Sequence, residues 1–170
     1  MNSGQPLTDQ TLSLDHWLSY IQEVHPVGWD LGLDRVSEVG RRLNLLHPAA
    51  TTILVAGTNG KGSTCEYLER FAMANGLSVG KSTSPHIHQF NERIAIDGVP
   101  VPDQSIVRAF QEIESARKEI TLTYFEFATL ASLFLFCEQK VDVAILEVGL
   151  GGRLDAMNIV DPDLTIITHI

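Results

Sequence analysis

"TTILVAGTNGKGSTCEYLERFAMANG", residues 51–76, holds in one run the three pieces that decide the fold. Thr51 to Ala56 is a short β-branched apolar run that reads as a buried strand. A glycine-rich loop follows at once, and the residues from Ser63 read as a helix that stops at Asn75-Gly76. The loop departs from the usual nucleoside-triphosphate pattern G-x-x-x-x-G-K-[ST], because Gly57, Gly60 and Lys61 are followed by Gly62 before Ser63 supplies the hydroxyl. Backbone N–H groups of a tight glycine loop at a helix N-terminus form a positive concavity, to which the helix dipole adds. Thr58, Asn59 and their glycine neighbours would then cradle phosphates, Lys61 would set a point charge on the β- and γ-phosphates, and Ser63 could ligate magnesium. The alternative is an ordinary strand-to-helix turn. Against it, a lysine between glycines costs helix propensity with no packing return, and a hydroxyl residue follows directly.

Outward from this unit, "LDHWLSYIQEV" carries Leu14, Trp17, Leu18, Ile21 and Val24 at helical spacing, ended by "HPVG". A second helix is predicted from Leu33 to about Leu46, closed by His47-Pro48. "LSVGKSTSP" predicts a strand running into a loop, and "RIAIDGVPV" a hairpin around Asp97-Gly98. An amphipathic helix is expected from Asp103 to Lys118, and "YFEFATLASLFLFCEQK" reads as a helix apolar on nearly every side, hence buried. "VDVAILEVG" and "DLTIITHI" complete the set as near-continuous apolar strands. Strands that alternate with helices and lack strict inside/outside alternation predict an α/β fold, a phosphate-loop-containing, mainly parallel sheet with helices on both faces. The last strand reads as buried with nothing after it, so Ile170 is expected to be a truncation point within a larger domain.

The chain has 170 residues, 44% of them apolar, enough for one packed domain or part of a larger one. Its 21 acidic and 12 basic residues give a net charge of −9, which argues against a nucleic-acid footprint and reads as solubility. Cys65 and Cys137 lie far apart with no metal-ligand spacing around them, so neither a disulfide framework nor a zinc site is indicated. "MNSGQPLTDQTLSL" lacks the basic start and apolar run of a secretory signal. "FATLASLFLFC" is about half the length a bilayer span needs. These features predict a soluble cytoplasmic protein with no membrane partner.

Glu147 is the second signal, because "DVAILE" delivers a carboxylate where "VGLGGR" begins, and ligands of open α/β sheets sit beyond the carboxyl ends of strands. A carboxylate opposite a phosphate loop suits magnesium, although a strand-end acid paired with Arg153 or solvent is the plainer reading. "GLGG" is too short for a dinucleotide fingerprint. Ser84, before Pro85, could complete a metal shell or simply make a turn. His86 and His88 lack a third ligand and read as loop polar groups. Glu126, alone in an apolar helix, must be paired or at a rim. Arg153 and Asp155 could bind an anionic or amide-bearing substrate or pair with each other.

"DLGLDRV", "GTNGKGST", "SPHIHQFNERI", "LTYFEFATLA" and "LEVGLGGRLDAMNIV" together resemble the folylpolyglutamate synthase/dihydrofolate synthase family, within the Mur-ligase superfamily of ATP-dependent amide ligases. The resemblance runs from about Leu14 to Ile170, and is greatest to the bacterial bifunctional type. It implies an acyl-phosphate route: the ATP γ-phosphoryl group passes to a pteroate or folyl-glutamate carboxylate, and the amine of L-glutamate displaces phosphate. Carried over, Thr58 to Lys61 hold the phosphates, Ser84 and Glu147 become magnesium ligands, and Lys61 and Glu147 carry the catalysis. Trp29, Asp30, Leu31, Thr123, Arg153, Leu154 and Asp155 fall where the family lines its pterin-bearing site. The implied partners are dihydropteroate or folate, L-glutamate, ATP and Mg2+, acting on a monomer.

Trp29 stands where the family has a smaller aliphatic residue, Met157 replaces the threonine of "LDATN", and His169 replaces a small residue. The family continues into a magnesium-binding histidine, a carboxylated lysine and a C-terminal domain, so residues 1–170 are expected to be the first part of the ATP-binding domain and inactive alone. Two other readings stay open: another ligase of the superfamily, separated by its acid substrate, and a non-catalytic nucleotide-binding module, which would bind ATP without releasing ADP.

Overall fold

The computed structural model describes residues 12–26, 32–149 and 152–170. Two helices lead. In α1 (Leu14–Glu23), the Ser13 hydroxyl accepts the His16 N–H at 3.3 Å, and Leu14, Trp17 and Ile21 share the buried face. α2 (Asp34–Arg42) stops four residues short of the helix its pattern predicted. Asn44 turns left-handed with φ 57°, and the Leu45 and Asn44 N–H groups close on the carbonyls of Gly40 and Arg41. That pair of bonds is a Schellman ending, which asparagine tolerates well, and it terminates the helix before His47-Pro48 is reached.

β1 (Thr51–Ala56) feeds the glycine loop and then α3 (Lys61–Ala74), which ends at Asn75 and Gly76 as expected. β2 (Val79–Ser82) follows, and then a short 3-10 turn (Phe90–Arg93). The expected hairpin is β3 (Ile94–Ile96) with β4 (Val99–Pro100), where Asp97 and Gly98 both take positive φ. Helices α4 (Asp103–Arg117) and α5 (Tyr124–Gln139) precede β5 (Val143–Glu147), and β6 (Leu164–Ile167) comes last.

The six strands form one sheet in the order β4-β3-β2-β5-β1-β6. β1 runs parallel to β5 and β6, β2 runs parallel to β5, and only the hairpin strands are antiparallel. α3 covers one face through Cys65, Ala72 and a small cluster with Val55, Val79, Val143 and Ile145. The opposite face carries the main core, in which α5 lies against the sheet beneath α1, α2 and α4. Edge-to-face rings fix that layer: Phe110 meets Phe127 at 6.0 Å and Phe90 at 5.7 Å, contacts worth about 0.5–1.5 kcal/mol each beyond their area.

β6 differs from its expected burial. Leu164 is 48% and Ile167 60% exposed, because β1 borders the strand on one side only and none of the described helices covers it. Apolar composition therefore mimicked a central strand at a position that is an edge among the described residues.

The sheet approaches α5 most closely at Gly80, where a Cβ would lie 2.4 Å from Phe136 Cδ1 and 2.6 Å from Cγ. These atoms belong to the root of a fully buried ring, which cannot swing away. Gly80→Ala should therefore cost about 1–3 kcal/mol of stability, read as a lower urea midpoint at unchanged slope.

Candidate functional site

Because β1, β2, β5 and β6 run parallel, their C-terminal ends share one edge of the sheet, and the chemistry-bearing residues gather there. The glycine loop leaves β1 with Gly57 at φ 130° and enters α3 through Gly60 at φ 83°. Gly57 has no room for a side chain: a Cβ would stand 2.3 Å from Thr168 Oγ1 and 2.9 Å from the His169 carbonyl. The end of β6 grips the loop from that side. Thr58 N–H donates to His169 O at 2.7 Å, and the Thr168 hydroxyl donates to Asn59 O at 2.6 Å. Thr64 closes the first turn of α3 with both its N–H and its hydroxyl on Gly60 O. Thr58, Asn59, Gly60, Gly62 and Ser63 are exposed, and the Thr58 N–H is already taken by His169 O.

Glu147 ends β5 with 5% exposure. Burial pushes its carboxyl above the usual carboxylate range, against the opposing pull of the Ser84 N–H, which donates at 2.9 Å, and of the Lys61 charge. Glu147 thus feels the Lys61 charge and meets Ser84 through that residue's backbone. The Ser84 hydroxyl lies beside the Gly149 backbone, where a Cβ would come within 3.1 Å of it. A cleft of about 320 Å³ opens between the start of α3, the end of β2 and the β3–β4 hairpin, with Gly62, Thr83, Ser84 and Glu147 in its wall. The Glu147 carboxylate and Ser84 border one cleft, and both offer the oxygen donors that a hard cation takes. No group of three or more His, Cys, Asp or Glu able to hold a metal occurs among the described residues.

The remaining candidates are placed differently. Thr123 is buried at the N-cap of α5, where its hydroxyl accepts the Glu126 N–H at 3.2 Å and the Glu126 carboxylate accepts the Thr123 N–H at 2.7 Å. Glu126 also accepts from Arg35 at 3.2 Å, so this acid is paired within the core. Asp155 is 3% exposed, and its carboxylate accepts the N–H groups of Gly149 and Met157, both at 2.9 Å. It pins the strand-end loop to the 3-10 turn Ala156–Ile159. Arg153 and Leu154 are exposed. Trp29, Asp30 and Leu31 lie outside the described residues. His86 accepts from Arg93 Nε at 2.8 Å, and His88 contributes a backbone N–H to Glu92, so both act as loop groups.

Two features of the site escaped the sequence reading. Lys81 on β2 reaches into the cleft wall and donates to Glu66 at 2.6 Å and to Glu69. Burial pushes the Lys81 ammonium down, but the two carboxylates outweigh it and its pKa ends raised. Glu66, gripped first by Lys81 and then by Arg70, is held down to about 2. The spacing of Glu66 and Glu69 on one helical face was visible, but their partner lies on another strand. Cys65, on the same helix, is fully buried, and desolvation reinforced by Glu147 pushes its thiol up to about 12. The second missed feature is Arg93, the last residue of the Phe90–Arg93 turn.

No protein-family model matches the sequence. The dihydrofolate synthase/folylpolyglutamate synthase of Escherichia coli (strain K12) is 52% identical over 157 residues, which take in 92% of this chain and 37% of that protein. E. coli FolC in complex with DHPP and ADP superposes with a TM-score of 0.93 at 51% identity, over 94% of this chain and 39% of that one. A bifunctional folylpolyglutamate synthase/dihydrofolate synthase with Mn, AMPPNP and L-glutamate bound gives 0.90 at 49% identity, over 96% and 39%. The chain thus spans 37% to 39% of the length of these relatives.

Two outcomes are expected from the geometry. Gly57→Ala should lose about 1–3 kcal/mol in urea unfolding, since it combines an unfavourable φ with a backbone clash. In metal-free buffer, Glu147→Gln should unfold at the same temperature as the native chain or higher at pH 7. The fold favours protonated Glu147, so native stability declines as pH rises from the ordinary carboxylate value through the raised one, and the glutamine removes that slope.

Proposed function

The chain belongs to the dihydrofolate synthase/folylpolyglutamate synthase family, and from that premise we propose that it supplies the phosphate-handling part of an ATP-dependent carboxylate–amine ligase. The observation that carries this reading is the convergence of the Gly57–Ser63 loop with Glu147 and Ser84 at one edge of the parallel strands. In the proposed reaction a carboxylate oxygen of dihydropteroate, or of a folyl-glutamate tail, attacks the γ-phosphorus of ATP and ADP leaves. The amine of L-glutamate then attacks the acyl carbon, inorganic phosphate leaves, and the amine proton is released, which balances the sum. The relatives bound to ADP, or to AMPPNP with Mn and L-glutamate, support this assignment of substrates.

Most of the work asked of the chain is positioning and charge neutralisation, because phosphoryl transfer needs little covalent help from the protein. Gly57, Asn59, Gly60 and Gly62 would present backbone N–H groups, Thr58 would brace the loop through its N–H to His169 O, and Lys61 adds a cation at the helix N-terminus. Glu147 and Ser84, and Ser63 from the loop, are the residues proposed to hold magnesium, and their oxygen donors fit that ion. Magnesium bound there would neutralise charge developing on the transferred phosphoryl oxygens. Thr123 and Asp155 would shape the acid-substrate side by fixing backbone, while Arg153, Leu154 and residues 29–31 would meet the pterin. Two free cysteines, and no described helix long and apolar enough to cross a membrane, suit a cytoplasmic setting.

The test is magnesium-dependent ADP release with dihydropteroate and L-glutamate, in a protein of the relatives' length that carries this sequence. Release that needs both substrates and drops about a hundredfold or more in Lys61→Ala is the expected result. An intact, folded protein that binds ATP but releases no ADP on adding both substrates would overturn the ligase reading.

A further inference from the structure

Arg93 is a half-buried cation that the described protein leaves without an anion. Its guanidinium carbon lies 5.8 Å from the Phe90 ring centre and 5.7 Å from that of Tyr124, so two rings hold it in place. One donor is used: Nε gives its hydrogen to His86 Nδ1 at 2.8 Å. The terminal nitrogens have no protein acceptor among the described residues, and they are not sealed from solvent. The nearby acids are committed elsewhere. Glu92 accepts the N–H groups of Ile87, His88 and Gln89, and Glu126 accepts from Thr123 and Arg35. Burial pushes the Arg93 pKa down, the direction expected of a desolvated cation that lacks a counter-charge. Holding a guanidinium this way costs free energy, which an incoming anion would offset.

Position narrows the choice of anion. The Arg93 carbonyl accepts the Thr83 N–H at 3.0 Å, which sets Arg93 opposite the residue that precedes Ser84. Tyr124 is next to Phe125, whose ring packs where a Gly149 Cβ would stand, two residues past Glu147. The Arg93 backbone is therefore one strand, about 5 Å, from that of Ser84 and three strands, about 14 Å, from the strand that feeds the glycine loop, more than an arginine side chain spans. Nucleotide phosphates held by the loop are too far to be its partner. The reacting carboxylate is a poor partner as well, since a bidentate grip would withdraw the electron pair that must attack phosphorus. A glutamyl tail carries a second carboxylate, separated from the reacting one by a short carbon chain.

We propose that Arg93 seats the non-reacting carboxylate of a glutamate-tailed acid substrate, through a bidentate contact braced by Phe90 and Tyr124, and so distinguishes that substrate from an acid with one carboxylate. The inference rests on the ligase reading. Its test is steady-state kinetics and ligand binding of the relative-length protein carrying Arg93→Gln or Arg93→Lys, with dihydropteroate as the one-carboxylate acid and tetrahydropteroyl-monoglutamate as the tailed one. Expected is a rise of about tenfold or more in KM and Kd for the tailed acid in Arg93→Gln, partly rescued in Arg93→Lys. The dihydropteroate KM, the kcat and the ATP Kd should stay near native. Equal losses with both acids would make Arg93 a packing residue and overturn the proposal. A raised KM for L-glutamate alone would move the contact to the amine substrate and overturn it too. A native protein that releases no ADP with either acid is a different result: it removes the ligase reading on which the proposal stands.

Discussion

The end of β6 sits so close to the glycine loop that position 57 has no space for a Cβ, and the geometry of the site depends on that contact. Thr168 and His169 hold the carbonyl of Asn59 and the N–H of Thr58 in fixed directions, so the loop backbone is set from the β6 side. A free loop of the same sequence would have to be ordered by its ligand at an entropic cost of about 1–2 kcal/mol per residue. Here the parallel pairing of β1 with β6 does that ordering in advance. A largely exposed edge strand is thus also the one that shapes the loop.

Charge is arranged around this edge in layers. The loop and Lys61 make a positive centre, Glu147 faces it from β5, and the Lys81–Glu66–Glu69 group forms the adjoining wall. Lys81 couples β2 to two turns of α3, and Gly98 N–H adds the hairpin through Glu69 at 3.1 Å. Helix, central strand and hairpin are therefore tied at one point beside the cleft. Asp155 does the same for the loop after β5 through two backbone N–H groups. Much of the buried charge near the site is spent on holding backbone still, which is the condition for catalysis by positioning.

Much of this was legible in the sequence for a local reason. Strand, loop and helix in residues 51–76 are contiguous, as are the hairpin at Asp97-Gly98 and the capped, uniformly apolar α5, so composition and turn chemistry describe them directly. The resemblance to a ligase family rested on the same contiguous motifs. What failed were inferences needing a neighbour from elsewhere in the chain. The length of α2 turned on Asn44 adopting a left-handed conformation, which competes with the apolar pattern at Leu43, Leu45 and Leu46. The burial of β6 depended on its place at the edge of the described sheet, which composition does not reveal. Lys81 pairs with acids 15 and 12 residues away, and Arg93 owes its place to a ring 31 residues on, so neither showed a local pattern.

Cys65 sits four residues past Lys61 of the glycine loop, a place where a reactive thiol would expose the proposed nucleotide site to oxidants and alkylating compounds. The thiolate is the reactive species, and a thiol pushed up to about 12 keeps only about one part in 100,000 of it at pH 7. Burial of α3 against the sheet, with Glu147 and Glu69 adding to it, therefore keeps this cysteine chemically quiet. The helix that begins at the glycine loop thus carries its cysteine in the form least open to oxidation or alkylation.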